Sequence, residues 1–158
     1  QLKIIKQICE REKIDIREKN PKYYLKIIDR YKNKYILPEN LEISKQKKTD
    51  KDTIKIYNNY EKELTRLNSV DFGNLLLHCL TIFKKHKNVL KQYQNQFKYI
   101  LVDEYQDINY TQQLWLKYLY RGHKNICCVG DDDQSIYSWR GADVTNLLEF
   151  KKNFNDPK

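Results

Sequence analysis

Through the first half of the chain apolar residues recur at spacings of three and four, the repeat of one face of an α-helix. A basic helical pattern runs from Gln1 to about Glu12. Asn20-Pro21 then reads as a cap followed by proline in the first turn of a helix, on which Tyr24, Ile28, Tyr31 and Tyr35 share one face. That stripe belongs in a core. Pro38 ends the helix, and residues 44–52 (SKQKKTDKD) carry almost nothing apolar, as a mobile loop would. A further helix is expected near Thr53 to Asn68, with Tyr57, Tyr60, Leu64 and Leu67 along one side. Another is expected through Phe72, Leu75, Leu76, Cys79, Leu80 and Phe83.

At Phe97 the period changes. FKYILVD is a short apolar run ending in acid, the pattern of a buried strand, and a helix of about a dozen residues follows from near Asn109 to Tyr120. NICCV (125–129) is a second such strand, ending in Gly130-Asp131, and Asp143 caps a closing helix with Val144, Leu147, Leu148 and Phe154. Strand, helix, strand, helix implies parallel strands joined by a crossover, and such sheets gather their functional residues at the carboxyl ends of the strands. Here both of those ends are acidic. The expected class is α/β, with a partial parallel sheet and flanking helices in the C-terminal half and a helical N-terminal half.

A chain of 158 residues makes one ordinary domain or two small lobes. With 40% hydrophobic and 32% charged residues it is globular rather than disordered, and 4 glycines and 3 prolines exclude a collagen-like or loop-dominated chain. Thirty Lys and Arg against 21 Asp and Glu leave a net charge of +9, which attracts an extended anion, nucleic acid first and an anionic membrane surface second. No apolar run approaches the roughly 20 residues that span a bilayer, and no leader opens the chain. The expectation is a soluble intracellular protein without a membrane partner, in a bacterial cytoplasm or a eukaryotic nucleus or organelle. Gln1 stands where a natural start would have Met, so a piece of a longer chain is expected. Cys9, Cys79, Cys127 and Cys128 form no C-x-x-C pair and read as reduced core residues; His78, His86 and His123 lack ligand spacing, His78 reading as the polar edge of a helix.

Two segments carry chemistry. In LVDEYQD the neighbouring Asp103 and Glu104 project differently as the strand frays. A strand-end Asp suits Mg²⁺ in phosphoryl transfer and a neighbouring carboxylate suits the proton of an attacking water. An acidic pair also serves simply to cap the next helix, although Asp107 or Asn109 can take that role. In VGDDDQSIYSWRGAD, Gln134 has a donor for a terminal phosphate, and Tyr137, Trp139 and Arg140 are the parts of a platform for unpaired bases. The two aromatics serve equally as core anchors.

Together VDEYQD and, about two dozen residues later, VGDDDQSIYSWRGAD resemble motifs II and III of the UvrD/PcrA/Rep group of superfamily 1 DNA helicases. The resemblance extends back through Val70-Asp71-Phe72 and NVLKQYQNQFKYILVDE and forward to Phe154. It is looser over residues 1–69, which resemble the helical 1B insert through the helix before Asp71 and the Leu37-Pro38-Glu39 turn. It implies a RecA-like motor domain 1A over residues 70–158, with ATP and Mg²⁺ as cofactors. Asp103 would be the Walker B aspartate on Mg²⁺, Glu104 the base activating water, and Gln134 the γ-phosphate contact. Tyr137 and Trp139 would pack on single-stranded DNA beside Arg140, and Gln106 would lie between the nucleotide and DNA sites. The implied function is ATP-driven translocation on single-stranded DNA and unwinding at duplex junctions, in repair or replication.

The sequence departs from the pattern in places. Gly73 and Asn74 stand where the family carries acids, and Ile108 where Thr is common. No G-x-x-x-x-G-K-[ST] occurs, so the Walker A region and the second motor domain would come from the remainder of a helicase chain, and this segment alone is expected to be inactive. The other readings are a non-catalytic nucleic-acid-binding remnant and the helicase subunit of a RecB- or AddA-like helicase-nuclease.

Overall fold

Proline has no N–H to leave unpaired and asparagine offers an acceptor for one that is, so Asn20-Pro21 starts a helix. Asn20 Oδ1 accepts from the Tyr23 amide at 3.0 Å, and α2 runs Pro21–Asn33. The chain is described from a computed structural model that covers residues 1–43, 50–137, 141–143 and 145–154. It divides into two compact units, Gln1–Leu75 and Leu76–Lys158.

In the first unit α1 (Leu2–Arg11), α2, α3 (Pro38–Ile43) and α4 (Lys51–Arg66) enclose a core that includes Ile5, Ile8, Tyr24, Ile28, Ile56 and Tyr60. Pro38 opens α3 rather than merely closing α2, which ends at Asn33 and leaves Tyr35 at φ 55°, off the expected stripe. Most of the expected mobile loop, residues 44–49, lies outside the described residues. Its last residues do not belong to a loop: Asp50 caps α4 by accepting from the Asp52 amide, and the helix begins at Lys51.

The buried face of α2 continues from Ile28 to a charge, Lys32, whose residue is 1% exposed. Its ammonium meets Asp71 Oδ2 at 2.6 Å and Glu61 Oε1 at 2.7 Å, and stands 4.9 Å above the Tyr60 ring. Asp71 also accepts from the Tyr60 hydroxyl and the Asn74 amide, and Asn74 Nδ2 donates to Glu61. Gly73 is small for a reason: a Cβ there would lie 2.8 Å from Lys32 Cδ. Gly73 and Asn74, two of the departures from the resembled pattern, thus sit at one buried charge cluster.

α5 (Phe72–Lys85) begins in the first unit and ends in the second. Its buried face carries Asn74, Leu77, Leu80 and Phe83, whereas Phe72, Leu75 and Cys79 of the expected stripe are exposed. The helix is apolar nearly all round, so periodicity does not choose its inner face. α6 (Lys87–Gln96), absent from the pattern reading, places Leu90 with Phe83 and Leu119 in a small core.

Ile100–Val102 forms β1 and Ile126–Cys128 forms β2; they pair in parallel, Ile100 opposite Ile126, with α7 (Tyr110–Tyr120) between them in the chain. Both strands bury the outer two positions more than the middle one, so Leu101 and Cys127 share an exposed face. Cys79 and Cys127 are therefore not core residues; Cys9 is buried, and burial pushes the Cys128 thiol up to about 12. The expected closing helix is broken into α8 (Thr145–Leu148) and α9 (Phe150–Asn153), with Asp143 accepting from the Thr145 amide as its cap; Val144 lies outside the described residues. Phe154 is buried against Tyr105 and Tyr120. The fold is mixed, mainly helical, with a small parallel sheet. No described helix is long and apolar enough to cross a membrane.

Candidate functional site

Parallel pairing does not stop where β1 and β2 end. Val129 N donates to Val102 O at 2.8 Å and Tyr105 N donates to Val129 O at 2.9 Å, so the two segments leaving the strands are laced together by backbone. Asp103, Glu104 and the turn Tyr105–Asp107 follow β1; Gly130 and the turn Asp132–Gln134 follow β2. The expected acids therefore occupy one end of one sheet.

Asp103 and Glu104 are both exposed. Asp103 turns one carboxylate oxygen onto the Glu104 amide at 3.0 Å. Glu104 is at φ 51°, ψ 44°, the left-handed region that a non-glycine residue rarely enters, and its Oε2 accepts from Gln106 Nε2 at 2.6 Å. Gln106 is 1% exposed, and its Oε1 accepts from the Asp131 amide at 3.0 Å. One buried amide thus joins the two loops. Gly130 makes the approach possible, because a Cβ there would stand 2.6 Å from Gln106 Oε1.

The network continues outward. Asp131 Oδ1 accepts from the Asp133 amide at 3.1 Å and Oδ2 from Gln134 Nε2 at 2.7 Å. A hydrogen-bonded path therefore runs from Glu104 through Gln106 and Asp131 to Gln134, whose side chain is exposed. The far end of the second loop is fixed as well: Asp143 N and Asn146 Nδ2 both donate to Ile108 O at 3.2 Å, and Asn109 pairs with Ala142 in an antiparallel bridge. Ile108 itself packs with Tyr105 and Leu116, so the isoleucine in place of threonine costs no exposed apolar surface.

Asn109, not the acidic pair, caps α7: its Oδ1 accepts from the Gln112 amide while Gln112 Oε1 accepts from the Asn109 amide. This reciprocal cap, with a neutral amide at each end, leaves Asp103 and Glu104 out of helix capping. Behind them Tyr105 is fully buried, and burial pushes its hydroxyl up to about 12. Tyr137 is half-buried and its carbonyl accepts from Ala142 N. Trp139 and Arg140 lie outside the described residues.

Asp103, Glu104, Asp131, Asp132 and Asp133 are all exposed, and none takes part in an ion pair among the described residues. Against a net charge of +9 this is a local negative field, which favours a cation. No three His, Cys, Asp or Glu side chains converge to hold a metal among the described residues. That donor set fits Mg²⁺ in one respect: such an ion is commonly held by one or two carboxylates, with waters and substrate phosphates completing its shell. Asp103 is an exposed carboxylate of that kind, with one oxygen on the Glu104 amide. Sequence reading placed Asp103, Glu104 and Gln134 in one neighbourhood but missed Asp131 as their link. A single glycine before a run of acids was the only signal.

The family model of the UvrD/REP helicase N-terminal domain matches residues 1–155. The chain is 46% identical over 155 residues to a probable DNA helicase II homolog of Rickettsia conorii, covering 98% of this chain and 24% of that protein. It is 36% identical over 158 residues to the ATP-dependent DNA helicase PcrA of Staphylococcus epidermidis, covering 100% of this chain and 22% of that one. The chain thus spans about a quarter of the length of these curated relatives.

Proposed function

The chain belongs to the UvrD/REP helicase N-terminal domain family, and from that membership and the site's geometry we propose that it is a segment of an ATP-dependent DNA helicase. In this reading residues 1–69 are the 1B-like insert and 70–158 part of a RecA-like motor domain 1A. ATP hydrolysis at the sheet end drives translocation on single-stranded DNA and duplex unwinding, with the Walker A region and second motor domain supplied by the rest of the helicase chain. The observation that carries the reading is the continuous hydrogen-bonded path from Glu104 to Gln134. It supports the reading because Glu104 and Gln134 belong to one hydrogen-bonded scaffold.

Asp103 would hold Mg²⁺, which supplies charge neutralisation on the β- and γ-phosphates. Glu104 takes the proton of the attacking water. The water oxygen bonds the γ-phosphorus, the bond to the β-γ bridging oxygen breaks, and its electron pair leaves with ADP. We assign the proton to Glu104 Oε1, the oxygen not engaged by Gln106. Gln134 exchanges its bond to Asp131 for one to the γ-phosphate, and so reports ATP to the loop that bears Tyr137, Trp139 and Arg140, where bases of the strand stack.

In a full-length protein carrying this sequence, Glu104→Gln keeps the shape of the side chain and removes its proton affinity. Steady-state ATP hydrolysis is expected to fall about 10²- to 10⁴-fold, with ATP and single-stranded DNA binding retained. Unchanged turnover removes Glu104 from this role.

A further inference from the structure

A glutamine amide has one face that accepts and one that donates, and the partners of Gln106 decide which is which. The Asp131 N–H can only donate, so Gln106 Oε1 must face it, and the amino group must therefore face Glu104. There it makes a short hydrogen bond, 2.6 Å, to an oxygen of the carboxylate. The amide has no freedom to flip without turning two donors on each other.

We propose that Gln106 is a positioning residue: it selects which Glu104 oxygen is offered to the attacking water and ties that selection to the loop beginning at Asp131. This rests on the reading of Glu104 as the base and adds a role for a side chain that touches no substrate. Three observations converge on it. Gln106 is 1% exposed, so its amide is reserved for protein partners. Glu104 sits at φ 51°, a strained backbone state of the kind that persists where surrounding contacts hold it and that clusters at functional sites. Gly130 leaves no room for a side chain because Gln106 Oε1 occupies that space, so the contact is built from both loops.

The consequence is mechanical. When Gln134 releases Asp131 to meet a phosphate, the Asp131 backbone shifts with it, and the same amide passes the shift to Glu104. The base is then aligned only when the second loop is in its nucleotide-engaged arrangement. Strand contacts on that loop gain a route to the rate of hydrolysis.

The test uses Gln106→Met and Gln106→Glu in the full-length protein, with kcat and KM for ATP measured with and without a (dT)20 oligonucleotide, and Glu104→Gln in parallel. Gln106→Met keeps the length of the side chain and removes both hydrogen bonds. Its kcat is expected to fall about 10²-fold, as misplacement of a reacting group does, with KM for ATP unchanged and stimulation by (dT)20 lost. Gln106→Glu still accepts from Asp131 but cannot donate to Glu104, so the path is cut at its last link: its kcat falls as far and stimulation by (dT)20 is lost as well. A Gln106→Met enzyme with normal kcat and normal stimulation, beside an inactive Glu104→Gln, overturns this inference alone. So does a loss carried entirely by KM. An active Glu104→Gln overturns the reading of the site itself. If Gln106→Met does not fold, Gly130→Ala displaces the same amide and carries the same expected and contrary results.

Discussion

Glu104 holds a backbone conformation that costs a non-glycine residue about 1–3 kcal/mol, and such residues cluster where a side chain must be aimed. Its restraint comes from a glutamine two positions later in sequence and from the backbone lacing of Tyr105 to Val129. The neighbourhood of the candidate residues was legible where their spacing is specific: an acid pair at a strand end, an amide after three aspartates. Gln106 was legible only as an intermediary, because burial and amide orientation are properties of the fold and leave no mark on spacing. Cys79 and Cys127 were misplaced for a related reason. Cysteine behaves as a small hydrophobe by composition, but which side of a helix or strand it takes depends on what packs there. The stacking role of Trp139 can be isolated at this scale. Trp139→Ala is expected to weaken binding of a (dT)20 strand, measured by fluorescence anisotropy, by about 1–3 kcal/mol. No loss assigns Trp139 to the core.

Among the elements, α1, α2 and α4 were legible because their apolar positions keep helical spacing, with a chemically marked cap at Asn20-Pro21, whereas α3 was not, because Pro38 reads as a stop. α5 was legible as a helix but not in the face it buries, since it is apolar on many sides, and α6 was not expected at all. Nor was Lys32 visible as a core residue, since a lysine four positions after a buried isoleucine normally marks the helix edge. Its role is to join α2 and α4 to Asp71 at the start of α5. Burial works to raise the Asp71 carboxyl, but the Lys32 ammonium, the Asn74 amide and the Tyr60 hydroxyl outweigh it and hold the group below its ordinary value. A carboxyl lowered in the folded state contributes stability above the ordinary carboxylate range, near pH 4, and loses it as pH falls from there through its folded value. Lys32→Met leaves Asp71 buried without its cation. It is expected to lower stability by about 3–5 kcal/mol at pH 7 in urea unfolding followed by circular dichroism. The deficit should shrink as pH falls from the ordinary carboxylate range through the lowered folded value of Asp71, where the wild type loses the charge that needs the lysine. A deficit independent of pH would show that the lysine stem, not its charge, is what the core needs.

For the whole molecule, the pattern of strands and helices gave the class and the two motifs gave the family, which the match over residues 1–155 bears out. The extent of the sheet was not legible, since a short apolar run announces a buried strand without saying what covers it. In the structure Leu101 is 80% exposed, and Cys127 lies beside it on the same uncovered face of the two-stranded sheet. The motor reading gives this face to helices, and the sheet's edges to further strands, from the rest of a helicase chain. Its central claim is that fuel and strand are sensed by one connected loop. If so, the affinity of a full-length protein for a (dT)20 strand depends on nucleotide through Gln134. The direct measurement is that affinity with and without a non-hydrolysable ATP analogue, in the wild type and in Gln134→Ala. Coupling of about 1–3 kcal/mol, or 5- to 150-fold, is expected in the wild type and none in the variant. A wild-type affinity indifferent to the analogue, or a variant that keeps the full shift, would contradict a Glu104–Gln134 path that links the two sites.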